Sequence, residues 1–208
     1  MPDYELDDAY ELKSPEDNRA HYAAWSETYD GAFAEGWGYV APREIARIYR
    51  QEMRDGDAPL LDLGAGTGLV AEHLGGLEAD ALDITPQMLA KAAPKGLYRR
   101  LIEADAMKPL EMADGAYGGV ISCGTFTHGH VGPAALPELL RVTRPGGLFV
   151  CGVIPPVYDG QGFGSALALL NADGVVGPLS FRRIAIYEGA EHPHAGDVGL
   201  VMVFRKAG

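Results

Sequence analysis

Apolar residues recur along this chain with two different periods, and the change of period marks its plan. Over the first quarter the spacing is helical. Ser14-Pro15-Glu16-Asp17 is a helix-start signal, with Ser as N-cap, Pro in the first turn and acids facing the positive end of the helix dipole. Tyr22, Trp25 and Tyr29 follow at steps of three and four and share one helical face. A loop carrying Gly31, Gly36 and Gly38 comes next. Pro42 then opens a second helix with Ile45, Ile48, Tyr49 and Met53 inward, and Asp55-Gly56 ends it.

From Pro59 short apolar runs alternate with helical stretches. The pattern predicts strands over 60–63, 79–83, 98–103, 120–123 and 148–154, and helices over 69–74, 86–93 and 134–142. Gly75-Gly76 stops the first of these helices, and Thr85-Pro86 is an N-cap followed by Pro at the first helical position. Such alternation implies right-handed βαβ crossovers and a parallel sheet. After Ile154 the pattern changes: Pro155-Pro156 breaks the chain and 164–170 reads as a short helix. Strands over 184–188 and 200–205, with a Gly-, His- and Pro-rich connection, read as an antiparallel hairpin. The expected fold is α/β, a Rossmann-like, doubly wound, seven-stranded and mostly parallel sheet with a C-terminal antiparallel hairpin. The expected organisation is one domain over 1–208, with a helical cap over 1–58 and an α/β core over 59–208.

Composition narrows the function. At 208 residues and 47% hydrophobic, the chain has enough apolar surface for a substantial core. A net charge of −12 with no basic cluster argues against nucleic acid or an anionic membrane as partner. No apolar run approaches the ~18 residues that span a bilayer. Residues 1–16 are acidic and polar, so no secretory leader is expected. Cys123 and Cys151 each sit in an apolar run and read as buried thiols in a reducing, cytoplasmic setting. The pairs His128/His130 and His192/His194 have neither nearby Cys nor helical His spacing, so no metal is expected.

The most informative segment is Leu60-Leu61-Asp62-Leu63-Gly64-Ala65-Gly66-Thr67-Gly68-Leu69. Glycine lacks a Cβ, so the backbone turns sharply and approaches a ligand closely. A helix beginning there would aim its free N–H groups into the same space. This is the layout of a nucleotide site at the first turn of an α/β sheet. Gly66 to Ala71 also fits the dinucleotide pattern G-x-G-x-x-A, but Asp62 would repel a pyrophosphate. Asp83 ends the second strand, about 20 residues past the start of the motif, where a ribose-binding acid is expected; capping the helix at Pro86 is its other reading.

The Asp-x-Gly-x-Gly-x-Gly spacing of Asp62 to Gly68 resembles the signature of class I S-adenosylmethionine (SAM) dependent methyltransferases. Gly38-Tyr39 with Pro42, Gly96-Leu97-Tyr98, and Ala135 to Leu140 with Arg144-Pro145-Gly146-Gly147 add a looser resemblance. It is to the methyltransferase-like family that includes the Williams-Beuren syndrome critical region methyltransferase. The resemblance implies SAM as cofactor, S-adenosylhomocysteine (SAH) as its product, and in-line methyl transfer to a small-molecule acceptor by a monomer or homodimer. It implies that backbone N–H groups around Gly64, Ala65, Gly66 and Gly68 meet the SAM carboxylate, and that Asp62 suits a ligand carrying an ammonium and a sulfonium. Asp83 would hold the ribose, Asp105 the adenine amino group and the Ala106 N–H a ring nitrogen. Ile84 and Met88 would pack on the adenine faces, or in the core. Tyr22, Trp25 and Tyr29 would cover the pocket and hold the sulfonium by cation–π attraction, or form a plain core stripe. Cys123, counted with the cofactor residues, opens the loop at the carboxyl end of the fourth strand. On that loop His128 or His130 is a candidate general base, with a polar surface role as the alternative. Two other functions stay open: a SAM-binding regulatory protein without catalysis, and a nicotinamide-dependent oxidoreductase.

Overall fold

In the computed structural model, residues 15–127, 130–189 and 191–208 are described. Five strands run parallel: β1 (Leu60–Leu63), β2 (Ala79–Asp83), β3 (Arg100–Glu103), β4 (Tyr117–Phe126) and β5 (Thr143–Val153). Two more, β6 (Ser180–Ala185) and β7 (Val198–Arg205), pair antiparallel, and β7 pairs antiparallel with β5. The sheet order is β3-β2-β1-β4-β5-β7-β6. The order reverses between β1 and β4, and that reversal opens a crevice at the carboxyl ends of the parallel strands. Every residue of β1 and β2 is buried, as a central parallel strand covered on both faces requires.

Helices cover both faces. On one, α1 (Pro15–Trp25), a π-helix over Tyr29–Glu35 and α2 (Ala41–Glu52) pack with Leu60, Ile121 and Val150. On the other, α4 (Leu136–Val142) and α6 (Phe163–Ala172) pack with Leu61, Val120 and Phe149. Neighbouring residues of a strand thus feed opposite layers, the two-residue period of a sheet. Between β2 and β3 runs α3 (Pro86–Ala92). A Cβ on Gly119 of β4 would lie 2.1 Å from the Tyr49 hydroxyl, which donates to the Asp57 carbonyl at 2.7 Å. That bare backbone lets α2 sit directly on the sheet.

Several segments differ from the sequence pattern for identifiable reasons. The stretch 69–74 is a single 3₁₀ turn, Ala71–His73, because glycines at 68 and 75 leave too few residues to nucleate an α-helix. The glycine-bearing loop after Tyr29 is the π-helix, closed by the Gly36 N–H donating to the Gly31 carbonyl. Pro155-Pro156 starts a short helix, α5 (Pro155–Gly160), since prolines in a first turn lose no hydrogen bond. The strand β6 precedes the apolar run at 184–188: Phe181, Arg182 and Arg183 are exposed on this edge strand, and Tyr187 leaves the ladder to bridge Tyr39. The strand β5 begins at Thr143 rather than at 148, with a register irregularity between its Thr143 and Leu148 pairings with β4. Ser14 lies outside the described residues, and Thr85 sits at the N-cap of α3 without a side-chain capping bond. Among the described residues no helix is long and apolar enough to cross a membrane.

Candidate active site

The glycine loop is anchored before it can bind anything. The N–H groups of Gly64 and Ala65 donate to the Leu82 carbonyl at 2.8 and 3.1 Å, and that of Gly68 donates to the Ala65 carbonyl. The Gly66 N–H donates to Asp83 Oδ2 at 2.8 Å. These four groups, expected to face a ligand carboxylate, are bonded within the protein in this structure: those of Gly64, Ala65 and Gly66 hold the loop against the end of β2, and that of Gly68 closes a turn inside the loop. No α-helix follows to supply further N–H groups. What the loop provides is close approach. A Cβ on Gly64, whose φ is +67°, would lie 2.0 Å from Thr125 Oγ1. That hydroxyl donates to the Leu63 carbonyl, as does Ser122, tying β4 to the loop.

A cavity of about 800 Å³, counting its open mouth, lies above this loop at the carboxyl edge of the sheet. Tyr22, Tyr29, Gly64, Gly66, Asp83, Ile84, Met88, Asp105, Ala106 and Cys123, all candidates for holding a cofactor, line it together with His130, the candidate base. Asp83 accepts from the N–H groups of Gly66 and Thr85, one on each oxygen. Burial raises its pKa, and those hydrogen bonds oppose the rise. Asp105 accepts from the Met107 N–H at 2.9 Å and pairs with Lys108 at 3.3 Å. The Tyr22 ring meets His130 edge-on, with ring centres 5.3 Å apart. His128 lies outside the described residues.

Other expected residues stand apart from this cavity. Asp62 is completely buried and does not line this cavity. Its Oδ2 accepts from the Tyr98 hydroxyl at 2.6 Å, while Oδ1 has no hydrogen-bond partner among the described residues. Burial pushes its carboxyl up to about 7. Gly68 packs against Tyr98 rather than the cavity, and Ala65 lines a small neighbouring recess. Trp25 is 4% exposed, lies in the core, and lines a second cavity instead. Tyr22 and Tyr29 line both large cavities, so the aromatic stripe serves as core and as wall.

The structure also assembles contacts that the sequence pattern did not single out. Asp30 accepts from Thr67 of the glycine loop and pairs with Lys95 at 2.6 Å, and Lys95 reaches Glu72 at 2.6 Å. Arg19 Nε donates to the Ile84 carbonyl at 3.2 Å. These bonds fasten α1 and the π-helix to the rim of the cavity. They span up to 65 positions, so no local motif announces them. Among the described residues no group of three or more His, Cys, Asp or Glu is placed to hold a metal ion.

Residues 61–151 match the methyltransferase domain family. The chain is 38% identical over 136 residues to human methyltransferase-like protein 27, an alignment covering 62% of this chain and 54% of that protein. It therefore spans about half the length of that curated relative. Among solved structures, a TehB-like SAM-dependent methyltransferase from Corynebacterium glutamicum superposes with a TM-score of 0.60 at 20% identity, covering 90% of this chain and 98% of that one. The [4+2]-cyclase SpnF superposes with a TM-score of 0.69 at 18% identity, covering 94% and 97%. The structural likenesses concern the fold.

Proposed function

Because the chain belongs to the class I SAM-dependent methyltransferases, we propose that it transfers a methyl group from SAM to a small-molecule acceptor by in-line displacement. The observation that carries this is the 800 Å³ cavity, whose walls combine the glycine loop with Asp83, Asp105 and two aromatic rings. The residues suit an adenosine-bearing cation. Asp83, already oriented by two N–H donors, has acceptor capacity left for ribose hydroxyls. Asp105 and the Ala106 N–H lie at the neighbouring strand end for the adenine, between the apolar side chains of Ile84 and Met88. The rings of Tyr22 and Tyr29 favour a cation and exclude water. Bound SAM supplies a methyl group activated by its sulfonium.

The chain's own contribution is alignment. Holding two reactants in line lowers a barrier by up to ~7–11 kcal/mol. His130, on the cavity wall, takes the acceptor's proton, and the described part of the cap, residues 15–58, closes over a core built by 59–208. The acceptor is placed among small molecules because the chain is strongly acidic, at −12. The fold also occurs in the [4+2]-cyclase SpnF, so turnover is the deciding test. Calorimetry should show SAM and SAH binding in the micromolar range, about −8 kcal/mol. Incubation with methyl-labelled SAM and metabolite extracts should yield SAH and a labelled product by mass spectrometry. No heat and no thermal shift with either compound would overturn the proposal. Binding without any turnover would leave a SAM-responsive regulatory protein. The variant His130→Gln should lower turnover by ~10²–10⁴ with SAM affinity kept, and an unchanged rate would remove this histidine from the mechanism.

A further inference from the structure

We propose that the second cavity is the acceptor pocket, and that it takes an uncharged aromatic molecule bearing a hydroxyl group. The assignment rests on the reading of the first cavity as the SAM site. The second cavity measures about 730 Å³, counting the space open at its mouth, and shares Tyr22, Tyr29, Cys123 and Gly124 with the first. The two cavities thus adjoin at these four residues, which places a guest in one beside a guest in the other, the adjacency that methyl transfer needs.

The chemistry of the lining selects the guest. Among the described residues, no Asp, Glu, Lys, Arg or His lines this cavity. A carboxylate or ammonium entering it would lose its hydration with no opposite charge in return, a cost of several kcal/mol. The walls are rich in rings, including Trp25, Phe33, Tyr39 and Tyr187, and aromatic guests pack on such rings edge-on or offset. Aliphatic side chains from Ile45, Ile184 and Leu200 complete the apolar frame.

Polar atoms are few and specific. Thr127 Oγ1 is buried with no hydrogen-bond partner among the described residues. A hydroxyl on the guest matches it, since each group can donate or accept. The Tyr39 hydroxyl and the Cys123 thiol already bond each other at 3.3 Å. Burial raises the Tyr39 phenol well above its ordinary value and pushes the thiol up to about 12, so this wall stays neutral around pH 7. In the transfer, the acceptor's O–H bond breaks at the boundary of the two cavities, and its proton passes to His130, which lines the first cavity against Tyr22, and then to water. An O–CH₃ bond forms as the methyl–sulfur bond breaks, and the sulfur keeps that electron pair.

The test is calorimetry on the full chain with 2-naphthol, 2-naphthoate and 2-naphthylmethylammonium, each with and without SAH. With SAH bound, 2-naphthol should bind at least about tenfold more tightly than either ion of the same frame. The variant Leu200→Glu should abolish that preference, and Leu200→Trp, which fills the cavity without adding charge, should weaken 2-naphthol binding. Both should keep SAH affinity, which also checks folding. Ions binding as well as 2-naphthol would overturn the proposal. SAH binding with no 2-naphthol binding would overturn it too, while leaving the SAM site in place. Binding of 2-naphthol without any SAH binding would remove the SAM reading, and the acceptor role with it.

Discussion

Replacing Asp62 by Asn should remove a pH dependence of stability that belongs to this one residue. Asp62 is completely buried, one oxygen accepts from Tyr98 at 2.6 Å, and the other has no partner among the described residues. Burial holds its carboxyl at about 7, against about 4 in an unfolded chain. Below about pH 4 both states carry the proton, and stability is greatest with respect to this group. From there to about pH 7 the folded state keeps a proton that the unfolded state has lost. Unfolding free energy then falls as pH rises, by about 1.4 kcal/mol per unit, and levels off above pH 7. Between about pH 5 and about pH 8 the loss amounts to ~2.7 kcal/mol. Asn has no charge to bury, and its carbonyl can still accept from Tyr98. Its amide NH₂ has no evident acceptor, which costs ~1–3 kcal/mol at every pH. The variant should therefore be close to equal to wild type or slightly less stable at pH 5, and the more stable protein at pH 8, with the balance shifting by ~2.7 kcal/mol between them. Urea unfolding at both pH values measures this. The informative quantity is the difference between the two proteins' slopes. Indistinguishable slopes would refute the view that Asp62 is a buried carboxyl held against its preference.

Further outcomes follow from other contacts. Asp83→Ala should weaken SAM binding by ~1.5–3 kcal/mol by calorimetry and also lower the melting temperature, since the carboxylate tethers Gly66; unchanged affinity in a folded variant would assign the ribose to another acid. Lys95→Met cuts two half-exposed ion pairs at the cavity rim, so it should speed SAM release only about two- to fivefold and make that rate less sensitive to salt. A stopped-flow release rate equal to wild type at low salt would show that these pairs do not hold the cap. Arg205→Leu leaves the buried Asp57 without its bidentate partner, both bonds being 2.9 Å, and should cost ~3 kcal/mol in denaturant unfolding. A loss below ~1 kcal/mol would place Asp57 in contact with water.

The central strands were legible because their short, mostly apolar runs are bounded by turn signals, Pro59 and Gly64 for one and Gly75-Gly76 and Thr85-Pro86 for the other. Leu60 to Leu63 and Ala79 to Asp83 appear in the structure with the predicted bounds. Edge strands carry no such signal: β3 has no fully buried residue and β6 has one, so their limits shifted. The cavity wall was legible wherever a residue sits at a strand's carboxyl end, as with Gly64, Asp83 and Asp105. What could not be read was how the loop's own hydrogen bonds are spent. Gly64, Ala65, Gly66 and Gly68 present the same residues whether their N–H groups face a ligand or the next strand. Nor does any local pattern join Tyr98 to Asp62, or Asp30 to Thr67, pairs 36 and 37 positions apart. The π-helix was hidden by its glycines, which usually signal a loop.

Tyr22, Tyr29, Cys123 and Gly124 each face two chambers, so neither chamber has a shape of its own. Whichever guest arrives first fixes the rings that the second must meet. Linkage is reciprocal: an occupant that tightens the other's hold is itself held more tightly by the same factor. In steady-state kinetics this becomes synergy without a fixed order, each guest lowering the other's dissociation constant by the same factor whichever adds first. The coupling of a catalytic cycle would then be set by the shared rings of Tyr22 and Tyr29, with no hinged door required.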